Sequence, residues 1–406
     1  MAMTYNHTAH EYSGQNLFNG NISTSTVSIG QFNGGAPVGY GYHYDQLNRL
    51  KTYIQHPGIG GTGWDGTSRS ENYKEIITYD GNGNILTYRR NGSLAATPTT
   101  AQIIDELRYN YVRDPSTNKI TNNRLNYIND TIATSNYTGD LISQGGGNYS
   151  YGQIGNLLRD NQVGITNTDW NVYGKITTLY KATGNIVFTY DAAGHRVSKK
   201  TGTGPTTYYV RDAQGNALAT YSFDGTTTTW KEQDLYGSSR LGMWTPNLNV
   251  GTGNTSAPDD EFNKVGKKYY ELNNHLGNVL ATISDRRVWV GGNLTSDVIT
   301  AQDYYPFGML QPGRQYTSAA GSYRYGFNGK ENDNDVGKGT GGEQDYGQRI
   351  YDARVGRFLS VDPITSKYPE LTPYQFGSNN PILNIDIDGL EGLRYGVNKD
   401  PSVVIT

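Results

Sequence analysis

A short pattern of turn residues recurs along the chain and constrains its fold more than any other feature. Each copy has an aromatic or extended lead-in, often followed by Asp, and reaches Gly or Asn shortly before an aliphatic residue. An Asp side chain can accept hydrogen bonds from backbone N–H groups two residues on, and Gly or Asn tolerates positive φ, so each copy predicts a tight reversal. The copies are YDQLNRLKTY at 44–53, YDGNGNILTY at 79–88, YTGDLIS at 137–143, YGQIGNLLRD at 151–160, WNVYGKITTL at 170–179, YDAAGHRVSK at 190–199, RDAQGNALATY at 211–221 and NNHLGNVLATIS at 273–284.

The spacing of these copies predicts β-hairpins. Segments after the turns, such as ITTLYKAT and NIVFTYD, alternate with the period of two that a strand requires, and no segment reads as a capped amphipathic helix. An all-β fold follows, in which antiparallel hairpins extend one sheet and each hairpin rests on its neighbours. The predicted turn residues are Asn48, Gly83, Gly139, Gly155, Gly174, Gly194, Gly215 and Gly277, with central steps of 16, 19, 20 and 21 residues.

The aromatic composition agrees with such a sheet. The 406 residues include 34 Tyr but only 9 Phe, so most aromatic rings keep a hydroxyl, which suits elements with one dry and one wet side. Tyr residues on strands can stack into ladders that fix the register. Exposed rows of Tyr could instead grip sugar rings, and both interpretations stay open at this point.

Charge and cysteine content exclude several classes of function. The formal net charge is -3 and no run of five like charges occurs, so a nucleic-acid or membrane-surface partner has no electrostatic support. The chain has no Cys, which excludes disulfides, thiolate zinc sites and cysteine nucleophiles. It contains no stretch of about 18 apolar residues that could span a bilayer.

The C-terminal quarter carries a specific series of motifs. These are YYPFGML at 304–310, YRYGFNGKEND at 323–333, DYGQRIYDARVGRFLSVDP at 345–363 and NIDIDGL at 384–390. Together with the repeats, they resemble the RHS or YD-repeat family, and 304–390 resembles the RHS repeat-associated core in its Bacteroidetes-like form. The resemblance implies that the hairpins form a spiralling sheet, a partial or complete shell, which the core region closes.

The resemblance also implies a division of the chain and a role. The expected parts are an N-terminal lead-in at 1–39, the repeat region at 40–303, the core at 304–390 and the start of a variable tail at 391–406. The implied role is that of a secreted or cell-surface shell that encloses or presents its own C-terminal cargo segment, of the toxin type, with the export signal outside this sequence. The alternative is a cell-surface adhesin or carbohydrate-binding module without cleavage.

The core region of toxin-bearing family members resembles an aspartyl autoprotease that cuts after an Asp-Pro-x-Gly-Leu motif. Carried over to this chain, the catalytic pair is Asp362 and Asp386, and the bond to be cut is Leu390–Glu391. Two carboxylates suit this reaction because one can keep a proton while the other, ionised, activates water. Arg357 is a candidate partner that would keep one carboxylate ionised. Any enzymatic activity would be this self-cleavage.

Two departures from the family pattern put cleavage in question. Ile387 stands in place of the motif proline, which frees a backbone N–H and loosens the turn. SKYPELTP, at 366–373, replaces a Gly-rich link. The competing interpretation is an inert closing element, in which the aspartates cap turns and pair with Arg354 or Arg357.

A metal site has little support in the sequence. ENDNDVGKGTGGE at 331–343 spaces Glu331, Asp333 and Asp335 as a calcium loop would, but Gly337 and Glu343 each come one position late. A flexible polar loop is the preferred interpretation. The six His residues lie far apart in the sequence and none has metal-binding spacing. We therefore expect neither a metal nor a cofactor.

Overall fold

The structure is a computed structural model. The residues it describes are 2–4, 17, 19–57, 59–60, 63–64, 70–94, 101–132, 137, 139–251, 258–319, 321–390 and 392–394.

The N-terminal part of the described chain builds the first sheet. Its strands, with one small separate hairpin, are β1 (Ala2–Thr4), β2 (Thr24–Val27), β3 (Val38–Tyr44), β4 (Leu50–His56), β5 (Ile59–Gly60), β6 (Gly63–Trp64), β7 (Ser70–Tyr79), β8 (Ile85–Leu94), β9 (Ala101–Arg113) and β10 (Ile120–Asp130). Strands β5 and β6 pair only with each other, and the other eight follow one another in chain order. Every pairing is antiparallel.

The second sheet continues the same hairpin-by-hairpin order. Its strands are β11 (Tyr149–Tyr151), β12 (Leu157–Asp160), β13 (Ile165–Trp170), β14 (Ile176–Lys181), β15 (Ile186–Tyr190), β16 (Arg196–Thr201), β17 (Thr206–Arg211), β18 (Ala217–Phe223), β19 (Thr228–Tyr236), β20 (Arg240–Trp244), β21 (Leu248–Asn249), β22 (Lys268–Asn273), β23 (Val279–Val290), β24 (Asn293–Tyr304) and β25 (Leu310–Thr317). Only β21 leaves the sequential path, because it pairs back with β19.

Residues 321–390, the closing segment, contain little regular structure. Its short strands are β26 (Glu331–Asn332), β27 (Glu343–Asp345), β28 (Ile350–Asp352), β29 (Arg357–Phe358) and β30 (Asn384–Asp386), and β30 pairs with β31 (Gly392–Arg394). Single 3-10 turns lie at Asn33–Gly35, Phe327–Gly329, Asn334–Val336, Thr365–Lys367 and Gly377–Asn379, and the one described α-helix, α1, is Pro258–Phe262. Among the described residues, no helix has the length and hydropathy that a membrane span requires.

The predicted reversals are present at every copy of the repeat. All eight predicted turn residues have positive φ, from 63° at Asn48 to 96° at Gly155. In six copies an Asp or Asn side chain accepts the N–H groups of the residues two and four positions on, as the pattern predicts. These six residues are Asp45, Asp80, Asn171, Asp191, Asp212 and Asn274.

Two stretches that the repeat pattern left unassigned, 84–136 and 237–268, also contain sheet strands. The first stretch contributes β8, β9 and β10, which reach 13 residues in length. The turn between β9 and β10 has the same chemistry, because Asp114 accepts N–H groups from Ser116 and Thr117 and Asn118 has a φ of 55°. Its Asn comes four residues after the Asp rather than three, so the repeat pattern does not detect it.

The closing segment packs against both sheets and completes one core. Buried side chains from β3 to β12 share a single apolar cluster with residues of the closing segment. At its centre the rings of Tyr351 and Phe376 stack with centroids 4.3 Å apart. The all-β fold of antiparallel hairpins predicted from the sequence is confirmed.

Hydroxyl and cationic groups of the sheets hold the irregular backbone of the closing segment. Tyr109 Oη donates to Val355 O at 2.8 Å, and Arg90 Nη2 donates to Arg354 O at 2.9 Å. Buried carbonyls without strand partners need such donors. Some Tyr rings do stack between neighbouring strands, as Tyr40 and Tyr53 do. The high number of Tyr residues therefore reflects both ring stacking and hydrogen bonding by the hydroxyl groups.

Lys338 forms a further link between the second sheet and the closing segment. Its buried ammonium contacts Asp352 at 2.8 Å and Glu343 at 3.2 Å within the closing segment. It also lies 3.6 Å from Asp160 on β12. The carboxylates are as deeply buried as the lysine, so the group holds together two regions that are distant in the sequence.

The turn chemistry can be tested at a matched pair of glycines. Gly174 has a φ of 74° and Gly81 has no positive φ, while a Cβ at either position would meet no neighbouring atom within 4 Å. We expect Gly174→Ala to lower the free energy of unfolding by about 1–2 kcal/mol, because an L-residue in the left-handed region is strained. Gly81→Ala should change it little. Urea unfolding of both variants checks this, and equal losses would contradict the repeat-turn assignment.

Candidate active site

The segment that carries the predicted cleavage bond is a hairpin loop. Strand β30 ends at Asp386, which pairs with Gly392 of β31, so Ile387 to Leu390 lie in the connection. Glu391, on the other side of the bond, lies outside the described residues. Gly389 has a φ of 84°, and a Cβ there would come within 2.9 Å of the Arg349 backbone nitrogen. Only glycine fits this position.

Arg349 brings the two predicted aspartates and the cleavage segment together. Its Nη2 lies 3.0 Å from Asp362 Oδ2 and 3.7 Å from Asp386 Oδ2. The same nitrogen donates to Leu390 O at 3.3 Å. The guanidinium is fully buried and stacks 3.7 Å from the centroid of the Phe358 ring, which holds its plane in place.

The two carboxylates have different surroundings. Asp362 accepts the N–H of Ile364 at 2.9 Å and makes the shorter contact with Arg349, an environment that suits a charged carboxylate. Asp386 is fully buried and accepts the N–H of Gly389 at 2.6 Å. Burial raises the pKa of Asp386 to about 6, although Arg349 and the Gly389 N–H oppose this rise. Two carboxylates in different surroundings therefore share one arginine.

The loop is held through four successive carbonyl groups. Lys330 Nζ donates to Ile387 O, Gln348 N donates to Asp388 O at 2.8 Å, and Arg349 donates to the carbonyls of Gly389 and Leu390. The sequence led us to expect a loosened turn where Ile387 replaces proline. In the structure the side chain of Ile387 is 45% exposed, and the carbonyl contacts hold the backbone around it.

The predicted arginine partners lie elsewhere. Arg357 donates to Tyr111 Oη and to Asn123 O, and no carboxylate of the described chain forms an ion pair with it. Arg354 pairs with Asp352 at 3.4 Å and donates to Gly139 O. The prediction that Arg357 or Arg354 pairs with Asp362 or Asp386 is wrong, because Arg357 contacts strands of the first sheet and Arg354 contacts Asp352 and the loop at Gly139.

The acidic stretch at 331–343 is also placed differently from our expectation. Glu331 and Asp333 are buried rather than part of an exposed polar loop. The three acidic side chains that the sequence offered as calcium ligands each form an ion pair with a basic side chain at 2.8 Å. These pairs are Glu331 with Arg324, Asp333 with Arg196, and Asp335 with Lys199.

Sequence reasoning missed two residues of this site, Arg349 and Lys330. Both lie in motifs that we singled out, DYGQRIYDARVGRFLSVDP and YRYGFNGKEND. The first motif contains three arginines within nine residues. Their spacing along an irregular segment does not show which one turns toward the loop. Lys330 follows a 3-10 turn at Phe327–Gly329, which directs it to the loop.

Comparisons with known proteins give partial matches. No family model matches the chain. It is 27% identical over 215 residues to salivary gland surface protein 1 of Aedes aegypti, a match that covers 50% of this chain and 5% of that protein. It is 35% identical over 101 residues to toxin subunit YenC1 of Yersinia entomophaga, which covers 24% of this chain and 9% of that protein. The chain thus spans less than a tenth of these two relatives.

One solved structure shows the same fold over nearly the whole chain. A chain of the Tc holotoxin pore of Photorhabdus luminescens aligns with a TM-score of 0.54 at 16% identity. The alignment covers 94% of this chain and 16% of that chain. At this identity the likeness concerns the fold alone.

The raised pKa of Asp386 makes a prediction about stability. A carboxyl with a folded pKa of about 6 and an ordinary value of 3.8 binds its proton more tightly in the folded chain. Its contribution to stability is complete below the ordinary pKa and is lost as the pH rises through the folded one. Between these values the free energy of unfolding of the wild type should fall by up to about 3 kcal/mol relative to Asp386→Asn.

Denaturant unfolding across this pH range measures the difference between the two proteins. Asp388→Asn is the matched control, since Asp388 lies in the same loop but is exposed. It should keep most of the pH dependence of the wild type, because the charge of Asp388 contributes less than burial does to the raised pKa of Asp386. Parallel curves for wild type and Asp386→Asn would show that the carboxyl is not perturbed.

Proposed function

We propose that this chain is a structural β-shell that encloses or presents its own C-terminal segment and cuts its backbone between Leu390 and Glu391. The shell is proposed to belong to a secreted or cell-surface protein of the toxin type. The fold shared with a chain of a Tc holotoxin pore and the partial match to a toxin subunit support this setting.

One observation carries the cleavage proposal. A single nitrogen, Arg349 Nη2, lies within 4 Å of Asp362, Asp386 and the carbonyl oxygen of Leu390. An arginine that contacts both carboxylates and the carbonyl of the bond to be cut suits peptide hydrolysis. A turn-capping role for the aspartates would not require the Leu390 contact.

The chemistry assigns one role to each carboxyl. Asp362, as the ionised group, takes a proton from water while the water oxygen attacks the carbonyl carbon of Leu390. Asp386, as the protonated group, gives its proton to the departing nitrogen of Glu391 as the C–N bond breaks. The products are a carboxyl at Leu390 and an amine at Glu391, so one water molecule is consumed and no further reactant is needed.

Arg349 supplies the electrostatic part of the reaction. Negative charge develops on the Leu390 oxygen when water adds, and a buried guanidinium already in contact with that oxygen stabilises the charge. The four held carbonyls fix the loop before the reaction begins, so little reorganisation is required.

The aspartates that cap turns in the repeats have pKa shifts opposite to that of Asp386. The pKa of Asp191 is lowered by the backbone N–H of His195, and that of Asp212 is lowered by the side chain of Asn216. Asp386 accepts a similar backbone N–H, yet its pKa is raised. Complete burial makes the difference, and it favours a proton donor over a simple turn cap.

The proposal predicts self-cleavage that depends on both aspartates. With an affinity epitope added after Thr406, the wild-type chain should separate into residues 1–390 and a fragment that begins at Glu391. Asp362→Asn and Asp386→Asn should each slow this separation by at least about a hundredfold, because each removes a proton-transfer group. Intact mass and N-terminal sequencing of the fragment measure the result.

Asp388→Asn is the control for this experiment, because it changes an exposed carboxyl of the same loop. It should be cut at the rate of the wild type. A wild-type chain that folds and stays intact would contradict the cleavage proposal, and only the proposed role as a structural shell would remain. Persistent cutting in Asp362→Asn would remove that residue from the mechanism.

The proposal also distinguishes between two buried arginines. Arg349→Lys keeps the charge but loses the planar guanidinium whose Nε and Nη2 hold the carbonyls of Gly389 and Leu390, so we expect cleavage at least about a hundredfold slower. Arg357→Lys changes an equally buried arginine of the same segment and should leave the rate near that of the wild type. Time courses of fragment release compare the two, with melting temperatures to confirm folding. A slow Arg357→Lys beside a fast Arg349→Lys would reverse our assignment.

A further inference from the structure

A cleft of about 420 Å³ lies beside the cleavage loop. Turns of the second sheet around Gly194 and Gly215 line one wall. The other wall comes from the closing segment and includes Ile387 and Asp388. A volume of several hundred Å³ is typical of sites for small molecules.

Cationic side chains outnumber carboxylates in the lining of this cleft. The cations are Lys175, Arg196, Arg211, Arg240 and Lys330, and the carboxylates are Glu331, Asp345 and Asp388. His195, which contacts Asp191, also lies in the lining. Two of the carboxylates are already engaged, since Glu331 pairs with Arg324 and Asp345 pairs with Arg196.

Three of the cations have only neutral partners in the described part of the chain. Lys175 donates to Gly347 O at 2.5 Å and to the side-chain oxygen of Gln348 at 2.8 Å. Arg211 donates to the carbonyls of Arg196 and Gly215, and Lys330 donates to Ile387 O. Among the described residues, none of the three forms an ion pair with a carboxylate.

Lys175 is the most deeply buried of these three cations. Burial lowers the pKa of its ammonium, although the charges of Asp345, Asp388 and Asp191 act against this. A buried charge is normally paired, because carbonyl groups replace only part of its hydration. Arg196, also buried, has an Nε that finds no acceptor in the residues described. The lining thus has unused capacity to bind negative charge.

We propose that the cleft binds a small oxyanion with more than one carboxylate or phosphate group, held by Lys175, Arg211 and Lys330. The three cations lie around one cavity, so a multivalent anion can reach them together, whereas chloride or a single acetate cannot. Because Lys330 also holds Ile387 O, the bound anion would lie directly against the cleavage loop. Binding itself does not depend on whether the loop is cut.

Calorimetric titration of the whole chain with citrate and with inorganic pyrophosphate tests this proposal. We expect saturable binding of at least one probe, weakened by added sodium chloride because the contacts are charged. Arg211→Gln removes one cation from the partly exposed wall and should weaken binding by about tenfold or more. Arg287→Gln, which removes an exposed charge on the distant hairpin of β23 and β24, is the matched control and should bind as the wild type does.

A second variant keeps the test independent of any folding defect. Gln214 lies on an exposed turn in the lining, so Gln214→Glu adds a repelling carboxylate without disturbing the core. It should weaken binding at least as much as Arg211→Gln. The absence of saturable binding by the wild type to either probe would overturn the proposal. Equal affinities in wild type, Arg211→Gln and Gln214→Glu would do the same, since binding would then lie elsewhere.

Discussion

Some carbonyl groups of the closing segment lie buried without strand partners, and the sheets supply their hydrogen-bond donors. Tyr109 and Arg90 do so at Val355 and Arg354. A Phe or Leu at these positions would fill the same space but leave the carbonyls unsatisfied, at a cost of about 1–3 kcal/mol each. This requirement gives a physical reason for the predominance of Tyr over Phe. It also explains why long cationic side chains point inward.

The inward-pointing basic side chains place buried charges next to buried carboxylates. At each carboxylate, burial raises the pKa and the basic groups lower it, and the outcome differs from one aspartate to another. Burial alone would raise the pKa of Asp352, but Lys338 and Arg354 outweigh it and lower the pKa to about 2. Asp386 shares its arginine with Asp362 at a longer distance, so burial prevails and its pKa is about 6. The closing segment therefore contains an ionised aspartate, Asp352, whose charge is compensated by basic side chains, and another, Asp386, that can keep its proton. Asp352 stabilises the fold, and Asp386 is suited to proton transfer.

Local chemistry determined how much the sequence could predict. The turns depend on an Asp or Asn, a short spacing and a Gly, all adjacent in sequence, so the hairpins and all eight turn residues were predictable. The turn at Asp114 was not predicted, because Asn118 comes four residues after Asp114 and the repeat pattern requires three. The arginine partner was not predictable, because Arg349, Arg354 and Arg357 differ in what the fold places beside them. Arg354 and Arg357 contact carbonyl groups of residues more than two hundred positions away in sequence.

The role of the proline in the family motif can be examined through its absence here. A proline at 387 would restrict one φ angle and remove one N–H group. In this chain four carbonyls, from Ile387 to Leu390, are held by Lys330, Gln348 and Arg349, and Gly389 takes the one conformation that avoids Arg349. The backbone of the loop is thus constrained through its carbonyl groups. These contacts would be the same with Ile or with Pro at position 387. Since Ile387 is nearly half exposed and Arg349 holds the carbonyls of Gly389 and Leu390, the geometry at Leu390 depends on Arg349 rather than on the residue that replaced the proline.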